Sequence, residues 1–231
     1  MSRVVLFGDR QVADLAHFYL THDSEHEIVA FTVDGSHITA DAMRGLPIVP
    51  FEEIQTRFPP DDFDMFIAIG SADMNGLRRS KYRAAKERGY GLISYVSSRA
   101  ITWPGLDIGD NCFVQDNTVI QPFARIGHDV VVWSGCHIGH HSVVGDDCFL
   151  SPQVVVASNV TVEPRCILGA GATVRDGITL GRESFVGAGS LIMKDTQPRQ
   201  VFVGQRGDVL PWSSDRLPAA MLRSAIRQRE R

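Results

Sequence analysis

Three of the eight histidines in the chain lie within the segment Ser134-Gly-Cys-His-Ile-Gly-His-His-Ser142. When an amine or a hydroxyl attacks a carbonyl carbon, a proton must leave the attacking group, and an imidazole that titrates near neutrality can accept it. His140 and His141 are the third and fourth residues of a block in the six-residue repeat of residues 108–197. These positions form a corner, so we expect both side chains to point outward. His141 also suits a purely conformational role, because histidine is found more often than average at positive φ.

The four cysteines could suggest a zinc site, but their spacing favours another explanation. Cys112, Cys136, Cys148 and Cys166 are separated by 24, 12 and 18 residues, which are all multiples of six. They therefore occupy one position of a six-residue repeat. We expect them to be reduced and packed in the interior.

Residues 108–197 divide into fifteen consecutive blocks of six without an insertion or a deletion. The first position of every block is aliphatic, and the fifth is always small or β-branched, so both should face a narrow interior. A period of six fits short strands separated by tight corners, with three blocks in each turn of a coil. The fourth position is Asn, Asp or Gly in ten blocks, and these residues tolerate corner geometry. The pattern predicts a parallel β-helix.

Residues 1–95 alternate short apolar runs with helical patterns. This alternation predicts a small Rossmann-like α/β domain, whose strand ends could bind a nucleotide. The expected strands cover residues 3–8, 27–33, 46–49, 64–70 and 91–96, and the expected helices cover residues 11–20 and 75–88.

A small α/β domain followed by such coils resembles the hexapeptide-repeat sugar acyltransferases related to the bacillosamine-pathway N-acetyltransferase and the sialic-acid O-acetyltransferase. The resemblance implies a left-handed β-helix over residues 96–200 and acetyl-CoA as co-substrate. It implies transfer of the acyl group to an amino group of a nucleotide-linked amino sugar. Acylation of a sugar hydroxyl, as on a sialic-acid-like acceptor, is the alternative, and a non-catalytic scaffold is a remote one. The resemblance also implies a homotrimer, with the outward Trp133 helping to bury the contact.

His140 aligns with the histidine that the family uses as general base, and His141 stands where relatives have a carboxylate that orients it. We therefore assign both residues to catalysis. The resemblance further implies acyl-CoA contacts at four positions. Phe149 replaces a histidine near the acyl group, and Ser158 aligns with a residue whose backbone N–H holds the thioester carbonyl. Gly204 and Arg206 follow the terminal segment near CoA, where Arg206 would meet a phosphate or solvent.

The acceptor site implied by the resemblance lies at the strand ends of the N-terminal domain. The family's first loop, Gly-x-Gly-Gly-His, is Gly8-Asp9-Arg10-Gln11 here and keeps one glycine, so Arg10 would compensate as a phosphate ligand. Gly8, Arg10, Asp34 and Gly70 are the expected acceptor-binding residues. Alternatively, Arg10 opens a helix and Asp34 is a turn residue.

Other partners are not expected. His128, His137, His140 and His141 do not reproduce the zinc-ligand spacing of the carbonic-anhydrase branch of this fold, so we expect no metal. A net charge of −4 argues against nucleic acid as a partner. The longest apolar runs are too short to span a bilayer, and the expected location is the cytoplasm. Residues 201–231 should form a loop and an amphipathic helix.

Overall fold

A computed structural model of the chain describes residues 2–205, 207 and 209. Arg206 and the helix predicted near the C-terminus lie outside the described residues. Of the helices in this part of the chain, none has the length and apolar character needed to cross a bilayer.

The N-terminal part is a five-stranded sheet in the order β3-β4-β2-β1-β5. β4, β2, β1 and β5 are parallel, and β3 pairs with β4 in the antiparallel sense. The strands are β1 Arg3–Phe7, β2 Glu27–Val33, β3 Ala42–Met43, β4 Leu46–Pro50 and β5 Asp64–Ile67, and the helices are α1 Gln11–His22, α2 Ile54–Arg57 and α3 Gly76–Glu87. A short 3₁₀ turn covers Gly35–His37.

The predicted strands and helices agree with these elements in type, with one exception. The strand expected over residues 91–96 is present only in part, because only Leu92 forms a bridge to Met65 of this sheet. The end of that segment, Tyr95–Val96, is β6 and pairs instead with the coil. β3, α2 and the 3₁₀ turn had no predicted counterpart.

Two-residue strands form a three-sided parallel coil, in which strands pair at a separation of 18 residues, apart from Phe185–Val186 and Val201–Phe202, which pair at a separation of 16. We name the sides I, II and III in chain order. Side I contains β6 Tyr95–Val96, β8 Phe113–Val114, β11 Val131–Val132, β14 Phe149–Leu150, β17 Ile167–Leu168, β20 Phe185–Val186 and β22 Val201–Phe202. Side II contains β9 Val119–Ile120, β12 His137–Ile138, β15 Val155–Val156, β18 Thr173–Val174 and β21 Leu191–Ile192. Side III contains β7 Asp107–Ile108, β10 Arg125–Ile126, β13 Val143–Val144, β16 Thr161–Val162 and β19 Thr179–Leu180.

The six-residue pattern is confirmed position by position. The interior consists of first-position aliphatic residues and fifth-position small residues, including all four cysteines, which are free thiols. Burial raises the pKa of Cys112 to about 12, which suits a packed, unreactive thiol. Fourteen of the fifteen fourth positions have positive φ, the exception being Asp195.

Side I packs against the N-terminal sheet. Phe113 and Val131 share a buried cluster with Leu6 and Phe31, and Trp133 and Phe149 pack on its edge. The ring centroids of Trp133 and Phe149 are 6.2 Å apart. Trp133 therefore packs partly within the chain, and its part in a contact between chains stays a prediction.

A buried ion pair fixes α3 to the coil. The Arg78 guanidinium, 1% exposed, lies 2.7 Å from a carboxylate oxygen of Asp129. It also donates hydrogen bonds to the carbonyl oxygens of Ile67, at 2.6 Å, and Asn111, at 2.8 Å. Burial raises the pKa of Asp129 to about 6, although Arg78 acts in the opposite direction.

Candidate active site

His140 and His141 lie in the turn between β12 and β13, at the corner between sides II and III. Both are exposed. The backbone N–H of His140 donates to Oε1 of Gln121 at 3.0 Å, which ties the turn to the preceding coil. His141 occupies the left-handed region with φ 58°, as its fourth position in the block predicts.

The two imidazoles contact each other directly. Nδ1 of His140 lies 3.1 Å from Nδ1 of His141, with the rings nearly perpendicular at 87°. The other face of His141 packs on Phe123, at 4.8 Å between ring centroids. A hydrogen bond between two ring nitrogens requires one with a proton and one without. When His141 accepts, His140 carries its proton on Nδ1 and its Nε2 is free to take another.

Ser158 occupies the same corner one coil further along, which is about one strand spacing of ~4.8 Å from His140. The following residue, Asn159, donates its backbone N–H to the carbonyl oxygen of His140 at 3.0 Å. Among the described residues, the Ser158 N–H has no hydrogen-bond acceptor. An amide donor thus lies beside the histidine pair.

Phe149 and Gly204 are not brought to this corner. Phe149 lies on β14 of side I, and the corner between sides II and III is the edge of the prism opposite side I. Gly204 follows β22, where an added Cβ would collide with the carbonyl oxygen of Ala188, so its lack of a side chain is needed locally.

The four expected acceptor-binding residues do meet. Gly8, Arg10, Asp34 and Gly70 line one pocket of ≈200 Å³ at the carboxyl ends of β1, β2 and β5. Gly8 has φ 131°, and a Cβ there would lie 2.7 Å from the carbonyl oxygen of Ala68, so the approach of β1 to β5 requires glycine. The Arg10 side chain is 82% exposed and lies 3.5 Å from Asp9.

Lys81 is a pocket residue that the sequence did not reveal. Its ammonium lies 2.6 Å from both carboxylate oxygens of Asp34. It also lies 5.5 Å and 5.9 Å from the ring centroids of Phe7 and Phe51. Lys81 belongs to the basic face of α3, and nothing local in the sequence separates it from its solvated neighbours.

The pocket and the histidine corner are on different sides of the coil. The pocket belongs to the domain that covers side I, and α3 is attached at the corner between sides III and I, where Asn75 donates to the Asp147 carbonyl oxygen at 2.7 Å. Within the described residues, no group of three or more His, Cys, Asp or Glu side chains is placed to hold a metal ion.

These features define a hexapeptide-repeat β-helix preceded by an α/β domain. The family "bacterial transferase hexapeptide (six repeats)" matches residues 106–140 and 141–176, and "hexapeptide repeat of succinyl-transferase" matches residues 159–194. The resemblance to hexapeptide-repeat sugar acyltransferases is thereby confirmed at the level of the repeat, and the repeats fit a left-handed coil. No curated protein sequence matches the chain.

Similar solved structures span nearly the whole chain. One is a histidine-to-asparagine variant of perosamine N-acetyltransferase from Caulobacter crescentus in complex with CoA and GDP-perosamine. It is 24% identical to this chain, the match covers 88% of this chain and 94% of that chain, and the TM-score is 0.77. Another is the acetyltransferase domain of PglB from Neisseria gonorrhoeae in complex with acetyl coenzyme A, at 20% identity, 84% and 91% coverage and a TM-score of 0.72. WeeI from Acinetobacter baumannii is 18% identical, with 88% and 97% coverage and a TM-score of 0.74. At these identities the likeness establishes the fold.

Proposed function

We propose that the chain transfers an acyl group, acetyl from acetyl-CoA, to the amino group of a nucleotide-linked amino sugar. The observation that carries the proposal is the contact between Nδ1 of His140 and Nδ1 of His141 at an exposed coil corner, because Nε2 of His140 is available as a base when His141 is the acceptor. The fold adds support, because a structure of the same fold is a perosamine N-acetyltransferase with CoA and GDP-perosamine bound.

In the proposed reaction, His140 Nε2 takes a proton from the acceptor nitrogen as that nitrogen attacks the thioester carbonyl carbon. The Ser158 N–H donates to the carbonyl oxygen as it becomes negatively charged. The C–S bond then breaks, and the proton passes from His140 to the departing CoA thiolate. No acyl-enzyme is needed, and the four cysteines are buried in the coil interior.

The acyl-CoA would run along the coil past Ser158 toward Gly204, with Arg206 near a CoA phosphate. The acceptor would bind in the Rossmann-like N-terminal domain, in the pocket of Gly8, Arg10, Asp34 and Gly70. The α1 helix begins at this pocket without a side-chain cap, and its free N–H groups suit a phosphate.

The proposal includes a homotrimer with sites shared between chains. His140 lies on the edge opposite side I, so an acceptor held by the domain on side I would react at the histidine of a neighbouring chain. Phe149 of side I would then face that neighbour's acyl group. Large apolar side chains on side II and at its corner with side III are exposed and suit such a contact. They are Ile101, Trp103, Phe123, Leu191 and Met193.

The test is product analysis by mass spectrometry after incubation with acetyl-CoA and UDP-, GDP- and dTDP-linked amino sugars. We expect one nucleotide-linked amino sugar to gain an acetyl group on nitrogen, and its hydroxyl analogue to remain unchanged. Acetylation of sugar hydroxyls alone would favour the O-acetyltransferase alternative. Failure to bind acetyl-CoA would favour a non-catalytic scaffold.

A further inference from the structure

Besides His37, the acceptor pocket contains two basic side chains, Arg10 and Lys81, which differ in their surroundings. Arg10 extends into solvent, with 82% of its side chain exposed. Lys81 is only 18% exposed and lies over the rings of Phe7 and Phe51. A partly desolvated ammonium interacts more strongly with an anion than one in bulk water does. Lys81 is therefore the better-placed of the two as a donor to an anion, and its charge is already paired with Asp34.

The position of Lys81 is fixed before any ligand arrives. It follows Arg78 by three residues on α3, and Arg78 is anchored to the coil through Asp129. Asp34 accepts from the Lys81 ammonium through both oxygens at 2.6 Å, which holds the long side chain in one direction. An ammonium has three N–H donors, so one donor is left after two are given to Asp34.

The loop after β1 is poorly suited to bind a diphosphate through its backbone alone, so a positively charged side chain would help. It has one glycine, Gly8, so it provides less of the close backbone approach to a diphosphate that several glycines allow. A diphosphate also has to enter beside two carboxylates, Asp9 and Asp34, which line the same pocket. Pairing with Lys81 neutralises Asp34.

We propose that Lys81 is a specificity-determining residue that contacts a phosphoryl oxygen of the acceptor, so that the pocket selects diphosphate-linked sugars over free sugars. This inference rests on the proposed function. In this inference the main role of Asp34 is to orient the Lys81 ammonium, and not to bind a ribose. Asp34 keeps oxygen lone pairs for a second donor, so both contacts are compatible.

The experiment is calorimetric titration of the full chain with UDP, GDP and dTDP, followed by the nucleoside of whichever diphosphate binds most tightly. Lys81→Gln should weaken binding of that diphosphate by roughly 10- to 100-fold, the range for a hydrogen bond to a charged group. The affinity of the nucleoside should change by less than about 3-fold, because it has no phosphate for Lys81 to contact. Lys81→Arg should retain the preference for the diphosphate.

Two controls separate a local effect from loss of structure. Lys86→Gln removes a cation from the same helix, which pairs with Asp110 outside the pocket, and should leave diphosphate binding unchanged. The double variant Asp34→Asn/Lys81→Gln removes both partners and leaves no unpaired carboxylate, and it should still bind the diphosphate more weakly than the wild type because the Lys81 contact is lost. Acetyl-CoA binding should be unaltered in every variant.

Equal weakening of nucleoside and diphosphate by Lys81→Gln would overturn the inference, since Lys81 would then act only through Asp34. Unchanged diphosphate affinity would overturn it as well. In both cases the wild type still binds the nucleotide, and the proposed function stands. If the wild type binds none of the three diphosphates, the nucleotide-linked acceptor is wrong and the role of Lys81 falls with it.

Discussion

Nδ1 of His140 lies 3.1 Å from Nδ1 of His141, at the corner where β12 turns into β13. In the proposed mechanism His141 accepts from Nδ1 of His140 and so orients it, a role for which the resemblance implies a carboxylate. Phe123 packs on the other face of His141 and holds its ring in place. His141 is therefore a positioning residue in our account, and its backbone conformation and its ring nitrogen can be tested separately.

His141→Gly should lower kcat by roughly 10- to 100-fold, the cost typical of removing a partner that orients a functional histidine. Glycine keeps the corner, because Gly135 and Gly171 occupy the equivalent position with positive φ in other coils. His141→Asp should retain most of kcat, since its carboxylate can accept from Nδ1 of His140. Steady-state kinetics of the two His141 variants measure these effects, and unchanged melting temperatures show that both variants remain folded. Full activity of His141→Gly would reduce His141 to a corner residue.

The parts of the fold that a local rule dictates could be predicted. The interior of the coil follows from aliphatic first positions and small fifth positions, and the positive φ of His141 follows from its place in the block. Contacts between segments that are distant in the sequence could not be predicted in this way. Arg78 is one of several basic residues on α3, and only the docking of that helix shows that it is buried against Asp129.

The candidate site divides in the same way. Gly8, Arg10, Asp34 and Gly70 meet in one pocket because parallel strands end at one edge, which the sequence pattern anticipates. Lys81 could not be predicted because it lies 47 residues beyond Asp34, and only the packing of α3 at that edge brings the two together. The repeat itself places Phe149 and His140 on different sides of the coil, whereas the separation of the acceptor pocket from His140 depends on which side the N-terminal domain covers. The repeat, with three equivalent sides, does not specify that side.

Mixing two inactive variants tests whether sites are shared between chains. His140→Ala removes the proposed base, and Gly70→Phe should fill the acceptor pocket without backbone strain, since a Cβ there meets only a Val12 methyl group at 3.9 Å. In randomly mixed trimers, about a quarter of the shared sites would combine two intact halves. We expect acetyl transfer to recover to about that fraction on co-refolding. No recovery would indicate sites built within single chains.

Breaking the buried ion pair should cost far more stability than breaking an exposed one. Arg78→Met leaves the Asp129 carboxylate buried without its cation, and we expect the free energy of unfolding to fall by roughly 3–5 kcal/mol. Arg44→Met breaks an exposed bidentate pair with Asp14 and should change the free energy of unfolding far less. Urea denaturation at neutral pH measures both. Similar losses for the two variants would contradict the assigned burial.

The raised pKa of Asp129 predicts a particular pH dependence. Burial holds this carboxyl at a pKa of about 6, against about 3.9 in an unfolded chain, so the folded state binds its proton more tightly. Its contribution to the free energy of unfolding should therefore fall as pH rises from about 4 to about 6 and be level above that. Asp129→Asn should lack this fall. Urea titrations across the interval compare the two slopes, and parallel slopes would refute the shift.

The most direct test of the account is kcat of His140→Ala at neutral pH, measured with acetyl-CoA and the acceptor found by product analysis. Loss of a positioned general base should lower kcat by roughly 10²- to 10⁴-fold. Binding of acetyl-CoA, measured by calorimetry, should be unchanged, because His140 acts on the acceptor proton. A variant that retains nearly full kcat would contradict the central claim, since the attacking nitrogen would then lose its proton without His140.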